Sequence, residues 1–371
     1  MTLVNLQLKR LIRGFSAVIA LTTAVGSLQS VSAQTTTYVV TDVSVDGGAT
    51  QVSVKLNNLG DLVGRAGDAV DGHAQATLWS RSKLVKKHLG VFTGGDYSSA
   101  MGINDMGEVT GVSNTGTRII PFLWTAAGGL KRVPLLPGDS CGQASSINRY
   151  GHIVGYSSGQ TGTKAFFWGR SGSVRELATL AGGNDSKARD LNDRDEIVGT
   201  SASYAGERAV LWTATGSIRD LGTLPEDSQS EATAINNAGE VVGYSIGPRG
   251  MRAFIWTKAA GMQEIGVTPD IISSRALAIN DSGDVVGSFT SASGDHAFRW
   301  NKASGIADLN TAKSLEMGIL FIEAHAINSA GQILVLGETA HQMRSGANPS
   351  EHDRCAPAPP SNFLLTPAPG L

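Results

Sequence analysis

Every tryptophan in this chain falls on one period. Trp79, Trp124, Trp168, Trp212, Trp256 and Trp300 are separated by 45, 44, 44, 44 and 44 residues. An asparagine keeps the same beat: Asn57, Asn104, Asn148, Asn192, Asn236, Asn280 and Asn328, with gaps of 47, 44, 44, 44, 44 and 48. A recurring unit of this size marks a repeat architecture, in which each unit is too small to cover its own apolar faces and must stack on its neighbours.

The unit is clearest between Ala234 and Trp256. A first strand ends in Ile235-Asn236. Asn236-Asn237-Ala238-Gly239 then reads as a tight turn, because an Asn side chain can bond the backbone two residues on and Gly tolerates positive φ. Glu240–Ser245, Arg252–Thr257 and Met262–Ile265 read as the second, third and fourth strands. In Ala253-Phe254-Ile255-Trp256 successive side chains alternate between faces, so Phe254 and Trp256 share one face while Ala253 and Ile255 share the other. A strand apolar on both faces belongs in a sheet covered on both sides. Four short strands in about 40–45 residues is the arithmetic of a propeller blade. The spacing therefore predicts an all-β chain, a β-propeller of about seven four-stranded blades. The alternative is an open β-solenoid, whose coils are usually shorter per repeat.

The seventh unit begins at Ile327-Asn328 and resumes at Phe363-Leu364-Leu365-Thr366-Pro367, with Leu at the Trp place. An irregular loop at 338–361 with four prolines and Cys355 interrupts it, and its composition reads as disorder. This unit lacks a fourth strand. The β-branched run Tyr38–Val45 is available to supply it and so to close a ring.

The Ile-Asn-x-x-Gly-x-Val-Val-Gly core, the Ala-Phe-x-Trp strand and the Asp-Leu-Gly-Thr-Leu run resemble the HAF-repeat family of probable extracellular proteins. The naming tripeptide is His296-Ala297-Phe298, with Arg252-Ala253-Phe254 and Lys164-Ala165-Phe166 as variants. The likeness covers nearly all of the chain after its leader. It implies bacterial export and a propeller-like array, and it implies no reaction. Two positions depart from the pattern. Asp195 stands where the turn Gly is expected, and Arg299 stands for an aliphatic residue, to face solvent or stack on a ring.

Residues 1–33 read as a signal peptide, with Lys9, Arg10 and Arg13 before an apolar run and Val31-Ser32-Ala33 at the cleavage site. The apolar run is shorter than the roughly 20 residues of a membrane span, so no integral span is expected after cleavage. Residues 34–371 form the single repeat domain, secreted or periplasmic. Losing three of the 30 basic residues leaves 27 against 32 acidic ones, a net charge of −5, which gives no footprint for nucleic acid. Two cysteines, Cys141 and Cys355, make no disulfide framework, although export would permit them to pair.

Motifs that promise chemistry have plainer readings here. Gly155-Tyr156-Ser157-Ser158-Gly159 and Gly243-Tyr244-Ser245-Ile246-Gly247 match a nucleophile elbow, but both lie between two strands with no helix to follow. His73 and His296 occupy the entry to the third strand, where Arg252 and Lys164 also occur, and read as solvated strand ends. Asn280-Asp281-Ser282-Gly283-Asp284 invites calcium but lacks the ligand alternation of a calcium loop. Asp220, Asp308, Glu176 and Glu264 recur at one strand position and read as an exposed face rather than as a glycosidase pair. No catalytic, cofactor-binding or metal residue is assigned, and calcium is the one cofactor left open. The expected function is an exported, non-enzymatic and monomeric propeller presenting loops to a glycan or protein ligand. The alternatives are a propeller enzyme acting on polysaccharide and an extracellular matrix component.

Overall fold

The computed structural model describes residues 36–43, 55–67, 73–81, 85–311, 314, 316–339 and 360–368. Residues 1–33, on which the signal-peptide expectation falls, Cys355 and nearly all of 338–361 lie outside them. The described residues build seven four-stranded antiparallel sheets. Six are simple meanders in chain order, as in Gln229–Ile235, Val241–Gly247, Gly250–Thr257 and Gly261–Glu264. Blades are numbered here by their ring asparagine, from Asn57 in blade 1 to Asn328 in blade 7.

Seven apolar clusters hold the blades, one at each junction around the ring. The third strand shows why. Phe254 and Trp256 pack towards blade 4 with Val198, Ala209 and Leu211, while Ala253 and Ile255 pack towards blade 6 with Ala276, Val285 and Phe298. Both faces of one strand are thus buried, each against a different neighbour. Fully burying a side chain of this size contributes about 1.5–3 kcal/mol.

Blade 7 closes the ring. Its third strand is Ser361–Pro367, with Leu365 opposite Ile333 where other blades place Trp. Its outer strand is Tyr38–Asp42, paired antiparallel with Ser361–Pro367 from the other end of the chain. Val43 continues into the cluster between blades 7 and 1. The solenoid alternative is excluded by this closure: the fold is a seven-bladed β-propeller.

Two further features recur, the first in blades 2 to 7 and the second in blades 2, 4, 5 and 6. The inner strand carries a bulge three residues before its ring Asn, as between Ala232 and Ala234. A serine on the inner strand takes a backbone N–H from the preceding blade: Ser98 Oγ from Ala76 at 2.8 Å, Ser230 Oγ from Ala209 at 2.9 Å. Beside the bulge the second strand comes so near that a Cβ on Gly243 would lie 1.9 Å from the Glu231 carbonyl oxygen. The glycine that ends Val-Val-Gly is therefore a packing requirement.

Candidate functional site: the channel and its asparagine-rimmed mouth

The ring asparagines do more than form turns. Each Oδ1 accepts two N–H groups of its own turn; Asn236 takes those of Ala238 at 3.1 Å and Glu240 at 2.9 Å. Each Nδ2 then donates to the carbonyl of the next ring asparagine. The series runs Asn57 to Asn104, on through Asn148, Asn192, Asn236 and Asn280 to Asn328, and from Asn328 back to Asn57, all between 3.0 and 3.2 Å. The seven bonds form a closed, buried hoop around the channel. The turn role is legible in sequence; the hoop is not, because it joins residues that only the closed ring brings together.

The second Nδ2 hydrogen usually goes to an acidic or amide side chain four residues on, such as Glu196 at 2.7 Å or Glu240 at 2.8 Å. Blade 3 has His152 at that place. There Asp195 of blade 4 supplies the missing acceptor: its Oδ1 takes Asn148 Nδ2 at 2.9 Å and lies 2.8 Å from His152 Nδ1. Asp195 sits at φ 56°, where the other six blades hold Gly at φ between 72° and 86°. The departure noted in sequence is half of a pair that spans a blade boundary.

Outside the hoop lies a second, incomplete ring. Asn58 N–H donates to Asp105 Oδ1 at 2.8 Å, Asp193 N–H to Asn237 at 2.9 Å, Asn237 N–H to Asp281 at 2.9 Å, and Ser329 N–H to Asn58 at 2.9 Å. These side chains rim a cavity of about 250 Å³ formed by the ends of all seven inner strands. Beside the rim, the residue two after the ring Asn is exposed and apolar in three consecutive blades: Leu59 at 42%, Met106 at 69% and Tyr150 at 46%. The other four blades place Arg194, Ala238, Ser282 and Ala330 there. The Arg149 guanidinium lies 4.8 Å from the Tyr150 ring centroid.

The channel wall is polar and uneven. Arg189 pairs with Glu231 at 2.8 Å, and Tyr244 donates to Glu231 at 2.7 Å. Burial, and Glu231 beside it, push the Tyr244 phenol up. Arg275 pairs with Glu323, whose other oxygen lies 3.1 Å from His325. Burial pushes His325 down, with Lys55 and Arg275 acting in the same sense and Glu323 against it. Asp190 lies 2.7 Å from Ser146 Oγ and accepts Ile235 N–H at 3.1 Å. Burial nonetheless raises its carboxyl above the ordinary value, because desolvation outweighs these bonds and the pull of Lys55.

The residues singled out in sequence fall elsewhere. Ser157 and Ser245 are fully buried on second strands. Ser157 Oγ accepts Leu136 N–H at 3.2 Å and donates to Asp139; Ser245 Oγ accepts Leu224 N–H at 3.1 Å. Asp220, Asp308 and Glu176 are exposed on outer strands of separate blades. The reading of the third-strand entry as a solvated end needs correction for two residues. Arg252 is buried between Asp227 at 2.6 Å and Glu264 at 2.7 Å, and His296 stacks on Phe289 while meeting Asp308 at 2.8 Å. Arg299 neither faces solvent freely nor stacks. It bonds Asp284 at 2.9 Å and Thr36 at 3.1 Å, tying the closing segment to blade 6. Asp284 of the calcium-like turn is spent on Arg299 and Asn301, and among the described residues no group of three or more His, Cys, Asp or Glu is placed to hold a metal.

No protein-family model and no curated protein matches the sequence. Solved structures do match in shape. Virginiamycin B lyase from Staphylococcus aureus, in a catalytically inactive form with quinupristin, superposes with a TM-score of 0.56 at 15% identity, covering 89% of this chain and 99% of the other. A streptogramin B lyase gives 0.55 at 13% identity, covering 89% and 97%. The β-propeller domain of the trilobed protease from Pyrococcus furiosus gives 0.54 at 12%, covering 85% and 93%. At such identities the likeness is one of fold. The last of these is described as having an open velcro topology, whereas Tyr38–Asp42 closes the present ring.

Proposed function

We propose that the mature chain, released after Ala33, works outside the cytoplasm as a non-enzymatic propeller that binds a glycan across the asparagine-turn face. One observation carries the reading. Leu59, Met106 and Tyr150 form an exposed apolar arc beside a mouth lined with amides and carboxylates. A sugar ring presents the same two chemistries, hydroxyls at its edge and C–H groups on its face. The arc suits stacking and the rim suits hydrogen bonding. The serines of the elbow-like motifs are enclosed, and the acids flanking the channel in blades 5 and 7 are held in ion pairs, which favours binding over catalysis.

A glycan-array screen of the purified mature protein, with and without Ca²⁺, tests the reading. A specific hit is expected, and Tyr150→Ala is expected to weaken it at least tenfold, the loss of about 1.4 kcal/mol. An array without a hit, or a hit indifferent to Tyr150 and Met106 substitutions, overturns it; a protein ligand captured on the same face would replace it.

A further inference from the structure

Blade 6 departs from its repeat at the end of its second and third strands that lies away from the asparagine turn. Blades 3, 4 and 5 enter the third strand with Lys164, Arg208 and Arg252, whereas blade 6 has His296. The residue opposite on the second strand is Ser157, Ser201 or Ser245 in those blades and Phe289 here. At the hairpin tip Thr161, Ala205 and Arg249 give way to Ser293. The outer-strand acid is kept: Glu176, Asp220 and Glu264 correspond to Asp308.

These exchanges bring a serine, a histidine and a carboxylate into line. Asp308 Oδ1 accepts the Asn310 N–H at 2.8 Å and Asn310 Nδ2 at 3.0 Å, which leaves Oδ2 for His296 Nδ1, 2.8 Å away. A carboxylate only accepts, so Nδ1 carries the hydrogen and the neutral ring keeps a lone pair on Nε2. Ser293 Oγ lies 2.9 Å from that nitrogen. The imidazole stacks on Phe289, with centroids 5.0 Å apart and planes 7° from parallel, and this holds the ring in its plane. Ser291 Oγ accepts the Ser293 N–H at 3.1 Å and lies 2.7 Å from Ser293 Oγ, which fixes the tip. A hydroxyl within reach of a base that a third group orients is what makes a serine nucleophilic, and the arrangement is defined by geometry and not by sequence order.

We propose that Ser293 is a site of covalent acylation, with His296 as its base and Asp308 as the residue that positions the base. The donor is an activated acyl ester or thioester, one whose leaving group departs as a stable phenolate or thiolate. Ser293 Oγ bonds to the carbonyl carbon as its proton passes to His296 Nε2. The tetrahedral species collapses with loss of the phenolate or thiolate, and the imidazolium gives its proton to solvent. The product is an O-acyl serine, one per chain. Ser293 is exposed at an open tip, so the site selects an acyl group by its reactivity and not by its fit. It lies at the other end of the strands from the asparagine turns and stands independently of the glycan reading.

Incubation of the purified chain with p-nitrophenyl acetate tests this, with p-nitrophenolate release followed by absorbance and the acetylated peptide located by mass spectrometry. Acetyl is expected on Ser293 well ahead of the exposed Ser171 and Ser329. His296→Gln is expected to slow acetylation of Ser293 about a hundredfold, the lower end of what a positioned general base contributes. Asp308→Asn is expected to slow it comparably. Asn310 holds the amide oxygen there, so the NH2 group meets Nδ1 and the ring hydrogen moves to Nε2. Asp308→Glu keeps a carboxylate and is expected to recover most of that loss, with thermal melts confirming that all three variants are folded. Ser293 acetylated no faster than Ser171 and Ser329, or at a rate untouched by His296→Gln or by Asp308→Asn, overturns the proposal. Equal losses in the two Asp308 variants mark a merely structural role for the carboxylate and overturn it as well.

Discussion

At the scale of the residue, the pairing of His152 with Asp195 makes a sharp forecast. Glycine is the ordinary occupant of the Asp195 position, and it relaxes the positive φ that an Asp there must bear. On backbone grounds alone, Asp195→Gly should stabilise. It also removes the one side-chain acceptor that Asn148 Nδ2 has among the described residues, beside the hoop carbonyl, and takes the carboxylate from His152. Loss of two part-buried bonds outweighs the small gain in the backbone, so Asp195→Gly is expected to cost about 1–2 kcal/mol. His152→Glu restores the arrangement that Glu196 and Glu240 show in their own blades. The double variant should therefore recover most of the loss, and a double-mutant cycle by urea denaturation reads the coupling directly. Additive single effects would refute it.

The unit itself could be read at the scale of the element because each strand repeats its reason for existing. Asn and Gly mark the turn, Phe and Trp mark the twice-covered third strand, and a missing fourth strand in the last unit points to Tyr38–Val45, of which Tyr38–Asp42 forms the strand. What stayed hidden were relations between units. Nothing in a 44-residue pattern says that an amide will reach the next blade, or which bulged side chain will look into the channel. Arg252 was misread for the same reason, since Asp227 and Glu264 reach it from loop and outer strand. Trp212 offers the measurement at this scale. It is fully buried in the junction between blades 3 and 4, and its indole N–H donates to the Ala178 carbonyl at 2.7 Å. Trp212→Ala is expected to cost about 3–5 kcal/mol, the range for a buried aromatic. A loss below about 0.5 kcal/mol, typical of surface sites, would contradict the packing. Trp168 and Trp300 are only partly buried and should cost less.

For the whole molecule, the channel ties electrostatics to stability. A carboxyl whose folded value is raised lets the folded state hold a proton that the unfolded state has released. Asp190 therefore favours folding most at acid pH, below the ordinary value of 3.8, and that contribution is lost as pH rises through its raised folded value. Asp190→Asn keeps an oxygen for Ile235 N–H and an amide for Ser146 while removing the charge. Melting temperatures of wild type and variant are expected to be close near pH 4 and to diverge towards pH 7, with the variant higher. A constant difference across that range would mean that Asp190 ionises as freely as in the unfolded chain. His325 runs the opposite way: its depressed value favours folding above 6.5 and that contribution is lost on acidification. The fold of this molecule was thus open to reading from its period, while its candidate site was not. Asp190 is unremarkable in its own unit and gains meaning only beside Ser146 and the Ile235 N–H, which other blades bring to it.

The exchange between His152 and Asp195 has a historical corollary. Units that grow by duplication begin as interchangeable parts, and most of this circle still satisfies each amide from within its own unit. With the acceptor of one unit supplied by its neighbour, those two units form a fixed couple. Copying or deleting either alone would strand a polar group in the wall, so further growth or shrinkage of the ring would have to carry both together or break elsewhere.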